Sequence, residues 1–173
     1  MMKQYPDREE CIAMRKEYGT PDHVCAHCDE VARVAVRIGR RLNEKGYHLD
    51  LGLTQAAGML HDIARKEHDH ARVGAEVVRS YGYPAVAAII AVHMHYPEFS
   101  PVEKINETDL VCLGDRTVKF DHYVGLDERM EYIMDKARHN AGKEKEEVLA
   151  RIRRSREQPP TRSEERRVGK ECR

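Results

Sequence analysis

The residues best suited to chemistry are a histidine and an aspartate that follow one another at the end of an apolar run, His61 and Asp62. Neighbouring side chains on a helix diverge by about 100°, so both can reach a metal ion seated beside the backbone. Imidazole and carboxylate are also ligands that divalent transition metals accept together. The pair alone is a weak signal, because such residues are also typical of a solvated helix end.

Four further residues of the same two types occupy comparable positions. Each lies on, or borders, the apolar stripe of a different predicted helix; they are His27, His70, His93 and Asp115. An unpartnered buried polar group costs roughly 1 to 3 kcal/mol, whereas a whole domain is stable by only about 5 to 15 kcal/mol. Independent burial of all six groups is therefore disfavoured, and one shared metal centre would partner them together.

Four histidines and two aspartates are more ligands than a single ion requires. The set favours two divalent transition-metal ions bridged by a carboxylate, and Asp62 is the predicted bridge. Nitrogen and oxygen donors of this kind suit Fe or Mn, with Zn, Co and Ni as alternatives, better than Ca.

The elements that must position these residues are predicted to be helices. Helix starts are indicated by capping residues, by proline in a first turn or by renewed apolar periodicity, at Asp7, Thr20, Asp50, His70, Pro84 and Ser100. The last of these helices is predicted to continue through Val118. Two closing helices are expected over residues 125–139 and 143–156, and no segment alternates in a way that predicts a strand.

Composition supports an all-α fold. The 173 residues are 40% hydrophobic and 35% charged, with no Trp and two Phe, which favours amphipathic helices over an aromatic-rich sandwich. The odd number of cysteines (Cys11, Cys25, Cys28, Cys112 and Cys172) predicts free thiols. The spacing of Cys25 and Cys28 predicts small core residues rather than a redox or zinc pair.

Charge and hydropathy limit the expected partners. The net charge is zero, so no nucleic-acid partner is expected from the overall field. The apolar runs are too short to cross a bilayer and the amino terminus is polar. A cytoplasmic protein with no membrane partner is therefore expected.

The order of His27, His61-Asp62 and Asp115 resembles the H…HD…D signature of the HD superfamily of metal-dependent phosphohydrolases. His70 and His93 match the places where its dinuclear members carry two further histidines. Residues 56–63, 70–75 and 110–115 are similar to the family's helix around the HD pair, its His-x-x-x-Gly-Ala step and its last metal-binding helix. The likeness covers about residues 7–135 and implies an HD-domain bundle of about six to eight helices.

The domain boundaries follow from this likeness and from composition. An HD-type helical domain is expected over residues 1–140 and a charged helix over 141–158. Residues 159–173 follow two prolines and lack apolar periodicity, so they are interpreted as a disordered tail that looks like a vector-derived addition.

The resemblance implies hydrolysis of a phosphate ester or anhydride, in a nucleotide or another small molecule, by a metal-activated water. Asp62 would orient that water. Arg65 stands where the family commonly has lysine, and arginine can bind phosphate through two parallel hydrogen bonds, so Asp62 and Arg65 are the predicted catalytic residues. Candidate substrate contacts are Arg65, Lys66, His95, Arg116 and Lys119; a solvated helix face is the alternative for each basic residue.

Two other functions stay open. Some HD-family oxygenases show the same arrangement of ligands, so a mixed-valent di-iron oxygenase is one alternative. A non-catalytic module that senses a nucleotide is the other. A small phosphorylated substrate such as a nucleotide is the expected partner, and assembly into a homodimer is compatible with the sequence.

Overall fold

The computed structural model describes residues 3–96 and 98–157. In these ranges the chain forms seven α-helices and one β-hairpin, in the order α1 (Arg8–Tyr18), α2 (Asp22–Asn43), α3 (Leu51–Leu60), α4 (His70–Ser80), α5 (Pro84–Val92), α6 (Glu107–Asp115), β1 (Val118–Lys119), β2 (His122–Tyr123) and α7 (Leu126–Glu157). Short 3₁₀ turns occupy His93–His95 and Val102–Lys104. The all-α prediction is confirmed.

The described chain divides into two compact units, one ending at Arg129 and the other beginning at Met130. In the first unit α2 packs against α3 and α6, while α3 also packs against α1 and α5, and α4 packs against α5. The predicted domain boundary at residue 140 stays a prediction, and the predicted tail from residue 159 lies outside the described residues. Within the described ranges, no helix combines the length and apolar character that a bilayer span requires.

Two helices of the first unit, α3 and α5, are apolar around most of their circumference. Such helices are stable only when neighbours cover them on several sides, and their side chains supply much of the core, including the fully buried Leu60 and Ile90. Each of these helices ends in a histidine, His61 and His93 respectively. The most buried helices therefore carry polar side chains at their carboxyl ends.

Two glycines allow close approach to α2. A Cβ atom on Gly58 of α3 would lie 2.7 Å from the Cα atom of Ala32, and one on Gly114 of α6 would lie 3.0 Å from the carbonyl oxygen of Val31. The first contact is shorter than a Cβ atom tolerates, and the second is tighter than most Cβ contacts, so glycine at both positions favours this close packing. His61 and Asp62, which follow Gly58, and Asp115, which follows Gly114, are thereby brought next to α2.

The predicted capping boundaries are mostly confirmed, with corrections at the starts of α2 and α6. Asp7 and Glu10 form the predicted capping box of α1. Ser100, however, does not begin a helix. The N-cap of α6 is Asn106, which forms a capping box with Asp109, because the Asp109 carboxylate binds the main-chain N–H groups of both Asn106 and Ser100.

Three smaller differences concern helix ends. The hydroxyl of Thr20 does not cap α2 but donates to the carbonyl oxygen of Ile63, 2.8 Å away, and Pro21 is the N-cap. Val118 lies in a β-strand rather than a helix, and the hairpin it begins was not predicted. The two predicted closing helices form one continuous helix, α7.

Candidate metal centre

His61 and His93 are held by the same local device. Each is the C-cap of its helix, and its Nδ1 donates to the carbonyl oxygen three residues earlier, that of Gly58 at 2.8 Å and that of Ile90 at 2.7 Å. Carbonyl groups in the last turn of a helix lack a full set of intrahelical partners. With the proton on Nδ1, the Nε2 lone pair is available as a ligand.

His27, in the second turn of α2, is oriented in the same way by a main-chain carbonyl of the hairpin. Its Nδ1 donates to the carbonyl oxygen of Phe120 at 2.6 Å. Phe120 lies between β1 and β2 with φ of 55°, a left-handed conformation that costs a residue other than glycine roughly 1 to 2 kcal/mol. Three histidines thus use a main-chain carbonyl to hold Nδ1, which directs Nε2 into the cluster.

The two aspartates lie among these Nε2 atoms. Asp115 is the last residue of α6, and its Oδ1 lies 3.1 Å from Nε2 of His27 and 3.8 Å from Nε2 of His61. Asp62 follows the C-cap of α3, and its Oδ2 also lies 3.8 Å from Nε2 of His61. The two carboxylates therefore share one buried histidine.

On its other side, Asp62 contacts the two remaining histidines. Its Oδ1 lies 3.2 Å from Nε2 of His70, the first residue of α4, and 3.4 Å from Nε2 of His93. The structure consequently brings together all six residues that the sequence singled out. Their roles as ligands stay predictions.

Three atoms of this cluster are buried without a hydrogen-bond partner in the described structure: Nε2 of His61, Nε2 of His93 and Oδ1 of Asp62. These atoms present lone pairs to one another, an arrangement that is unfavourable unless a proton or cation lies between them. A divalent cation would accept all three. The donor set and its orientation therefore fit a metal ion.

The ligand atoms form two overlapping groups, each with its atoms within 4.8 Å of one another. One contains His27, His61 and Asp115, and the other contains His61, Asp62 and His93. His61 belongs to both. Imidazole with carboxylate is a donor set typical of divalent transition metals.

The electrostatics of the cluster favour ionised carboxylates. Burial opposes ionisation of Asp62, yet the neighbouring histidines prevail and hold its pKa well below the usual value. Burial likewise opposes ionisation of Asp115, but the contacts with His27 and His61 lower its pKa to about 2. Burial lowers the pKa of His61, which favours the neutral imidazole that a metal requires.

Arg65 is the basic residue nearest to these groups. Its Nε lies 3.6 Å from Oδ2 of Asp62, and its Nη1 lies 3.2 Å from Nε2 of His70. The Arg65 side chain is 46% exposed, whereas that of His61 is fully buried. Arg65 therefore lies at the solvent side of the cluster, where a substrate phosphate could meet both the guanidinium and the ligands.

The other candidate substrate contacts have different surroundings. Arg116 donates to the carbonyl oxygen of Tyr96 at 2.9 Å and lies 4.9 Å above the ring of Phe99. Lys119 lies 3.4 Å from a carboxylate oxygen of Glu128. Lys66 and His95 are exposed. Their contacts with substrate stay predictions, as does that of Arg65.

The sequence reasoning did not identify the three carbonyl groups that orient the histidines. They belong to Gly58, Ile90 and Phe120, and a main-chain acceptor has no residue type by which to find it. A partial signal existed, because His61 stands at the end of an apolar run.

The described cysteines are free thiols, as predicted; of the two that were predicted to be core residues, Cys28 is buried and Cys25 is partly buried. Cys11, Cys25, Cys28 and Cys112 are free, and Cys172 lies outside the described residues. Burial raises the pKa of the Cys28 thiol well above its usual value, so this neighbour of His27 is expected to be protonated and unreactive.

Known relatives are similar to parts of the chain. An uncharacterized protein of Methanocaldococcus jannaschii is 37% identical over 73 residues, which are 40% of this chain and 43% of that protein. A tRNA (cytidine(56)-2'-O)-methyltransferase of Thermoplasma volcanium is 32% identical over 97 residues, 54% of this chain and 27% of the enzyme. The enzyme of the same name in Picrophilus torridus is 25% identical over 157 residues, 82% of this chain and 45% of the enzyme.

The chain thus spans less than half the length of each of these relatives. No solved structure matches it significantly. The HD domain family model matches residues 24–171, which is most of the chain and includes all six residues of the histidine and aspartate cluster. The chain belongs to the HD domain family, a superfamily of the metal-dependent hydrolase type.

Proposed function

We propose that the chain is a metal-dependent phosphohydrolase that cleaves a phosphate ester or anhydride in a nucleotide or another small molecule. The observation that carries this proposal is the cluster of buried, unpartnered nitrogen and oxygen atoms on His61, Asp62 and His93. HD domains bind divalent metals, and this cluster is suited to hold them.

The ligands would be His27, His61, Asp62, His70, His93 and Asp115. Divalent cations at such a site supply a water of lowered pKa and positive charge against a phosphoryl oxygen. Two ions, Fe or Mn in the first instance, would share the carboxylate of Asp62, whose two oxygens lie near different histidines of the cluster. Zn, Co and Ni are alternatives with the same donor preferences.

The protein's own part is to position groups and to stabilise charge. The carboxylate of Asp62 lies beside three histidines. It accepts a hydrogen bond from the attacking water, and this bond orients the lone pair of the water oxygen. Arg65 donates to a phosphate oxygen at the solvent side of the cluster, where the charge on phosphorus oxygens grows during the reaction.

The activity in the names of two relatives is not carried over to this chain. They are tRNA methyltransferases by name, and each is more than twice as long as the segment that this chain matches. Fold and family do not by themselves define a reaction, and the ligand cluster of this chain is suited to hydrolysis. We therefore propose hydrolysis for this segment and not methyl transfer.

The test is turnover by the purified wild-type chain. The protein would be reconstituted anaerobically with Mn²⁺ or Fe²⁺ and incubated with nucleoside mono-, di- and triphosphates, dinucleoside polyphosphates and sugar phosphates. Release of phosphate or of a shorter nucleotide, without oxygen, is expected. Asp115→Asn is the matched inactive control, because it removes charge from a ligand and leaves its volume unchanged.

This experiment, with a parallel aerobic assay of the iron-loaded protein, decides between the alternatives. Oxygen consumption with an inositol or a phosphonate, in the absence of phosphate release from esters, would replace the proposal with the di-iron oxygenase. Nucleotide binding without turnover in any metal would replace it with the non-catalytic sensor.

A further inference from the structure

A groove of about 600 Å³ lies among α1, α2 and α3, apart from the metal cluster. Its floor includes Ala32, Val36 and Met59, and five arginines surround it: Arg8, Arg33, Arg37, Arg40 and Arg41. Only two carboxylates, those of Asp29 and Glu44, line the same groove. The groove therefore carries an excess of positive charge.

Both acidic residues of the groove already form ion pairs. The Asp29 carboxylate lies 2.9 Å from the buried guanidinium of Arg15, which is not part of the groove. Glu44 lies 3.4 Å from Arg41, and Arg33 is held by Glu30 at 2.6 Å. Neither acid is thus available to neutralise the remaining arginines.

Three arginines of the groove keep an uncompensated charge. Arg8, Arg37 and Arg40 are exposed, and none of them forms an ion pair with any residue in the described ranges. Three unpaired guanidinium groups around one depression repel one another, so the arrangement is expected to favour an anionic ligand.

The positive charge follows a line. Arg33, Arg37, Arg40 and Arg41 recur along one face of α2, and the run from 33 to 41 covers about 12 Å at 1.5 Å per residue. Arg8 adds a charge from the first residue of α1. A row of guanidinium groups of this length suits several phosphates in series better than one compact anion.

The groove and the metal cluster lie on opposite faces of α2. His27 and Val36 are separated by about two and a half helical turns at 3.6 residues per turn, so their side chains leave the helix on opposite sides. A ligand in the groove would therefore bind without occupying the position of a substrate at the metals.

We propose that this groove binds the sugar–phosphate backbone of a single-stranded nucleic acid. Proteins bind single strands through a positively charged groove that follows the backbone, through aromatic side chains on which bases stack, or through both together. No aromatic side chain lines this groove, so contact is through phosphates and is independent of base sequence. The expectation from net charge was the opposite, because a whole-chain average conceals a local cluster.

The test is fluorescence anisotropy with a labelled 12-nucleotide RNA of mixed sequence, and with DNA of the same sequence, at several salt concentrations. If three phosphates are contacted, log K should fall with log salt with a slope of about −2, or roughly twentyfold between 50 and 200 mM salt. Unlabelled tripolyphosphate serves as a competitor. The full chain is used throughout.

The decisive variant is the double substitution Arg37→Gln with Arg40→Gln. It should reduce the slope to about −0.7, since one phosphate contact remains, and weaken binding at 50 mM salt at least tenfold. The matched control is Lys16→Gln with Arg79→Gln, which removes the same charge from exposed positions outside the groove. It should leave most of the binding intact, and phosphohydrolase activity should be unchanged in both.

Three results would overturn the proposal. They are the absence of nucleic-acid binding at 50 mM salt, an equal loss of binding in the two double variants, and binding of tripolyphosphate alone. Circular dichroism and thermal melting of both variants would show that folding is unaffected, so a loss of binding reports the groove.

Discussion

Nε2 of His27 lies 3.1 Å from Oδ1 of Asp115, although 88 positions separate the two residues in the chain. The contact joins the second turn of α2 to the last residue of α6. Both helices are held together by the close approach of Gly114 to the main chain of Val31. One glycine contact in the core thus helps to set a distance within the proposed metal site.

The position of Asp62 gives the first prediction. Because its carboxylate lies near three histidines, whereas each imidazole offers a single free nitrogen, Asp62→Ala should abolish binding of both ions. His27→Ala and His93→Ala should each disturb only one of the two candidate ligand groups and retain the ion held by the other. Metal content after reconstitution with Mn²⁺, measured by elemental analysis, checks this. Equal metal content in the three variants would contradict it, with circular dichroism as the control for folding.

The hairpin gives the second prediction. Phe120 has φ of 55°, and its carbonyl oxygen holds Nδ1 of His27. Proline cannot adopt a positive φ, so Phe120→Pro should displace the carbonyl and weaken metal affinity about 10- to 100-fold, as the loss of other groups that orient ligands does.

Phe120→Gly is the matched control for that change. Glycine adopts this conformation readily, so the carbonyl should stay in place and metal affinity should be close to that of the wild type. Titration of both variants with Mn²⁺ measures the difference. Equal affinities in the two variants would show that the hairpin does not orient His27.

Arg65 gives the third prediction. If it stabilises charge on the phosphate, Arg65→Ala should lower kcat/KM about 100-fold with metal content unchanged, because the proposed ligands remain. Arg65→Lys should recover part of the loss, since a point charge replaces a bidentate donor. Lys66→Ala, at the next position, which is also exposed and forms no ion pair with the cluster within the described residues, should have the smaller effect. A larger effect at Lys66 would reverse the assignment.

Asp109 gives the fourth prediction, on stability. Its buried carboxylate accepts hydrogen bonds from the main-chain N–H groups of Ser100 and Asn106 and from the hydroxyl of Tyr96. Burial opposes ionisation, but these hydrogen bonds prevail and lower the pKa of Asp109. Asp109→Asn should therefore reduce the free energy of unfolding by about 1 to 3 kcal/mol at pH 7.

The pH dependence of that difference has a definite sign. The pKa of Asp109 is lower in the folded state than its usual value of 3.8, so its contribution is complete above that value and is lost as the pH falls through the folded-state pKa. Urea unfolding of both proteins at pH 6 and pH 3 measures the difference. If the wild type and Asp109→Asn differed in unfolding free energy as much at pH 3 as at pH 6, this account of Asp109 would be wrong.

The start of α6 shows where sequence patterns compete. Ser100 with Glu103 and Asn106 with Asp109 both have the spacing of a capping box. The second pair begins the helix, because Asp109 also binds the main chain of Ser100 and the hydroxyl of Tyr96. These contacts come from the preceding loop and cannot be read from the spacing alone.

The sequence by itself determined the fold class and singled out the six residues of the cluster, because helical periodicity and residue type are local properties that the chain records directly. The family was indicated by the resemblance of the His27, His61-Asp62 and Asp115 motif. The tertiary structure decided which main-chain carbonyls orient His27, His61 and His93, and it brought the arginines of the groove together with Arg8. Distances between helices depend on packing, such as that of Gly58 against Ala32, and packing is a property of the whole folded unit.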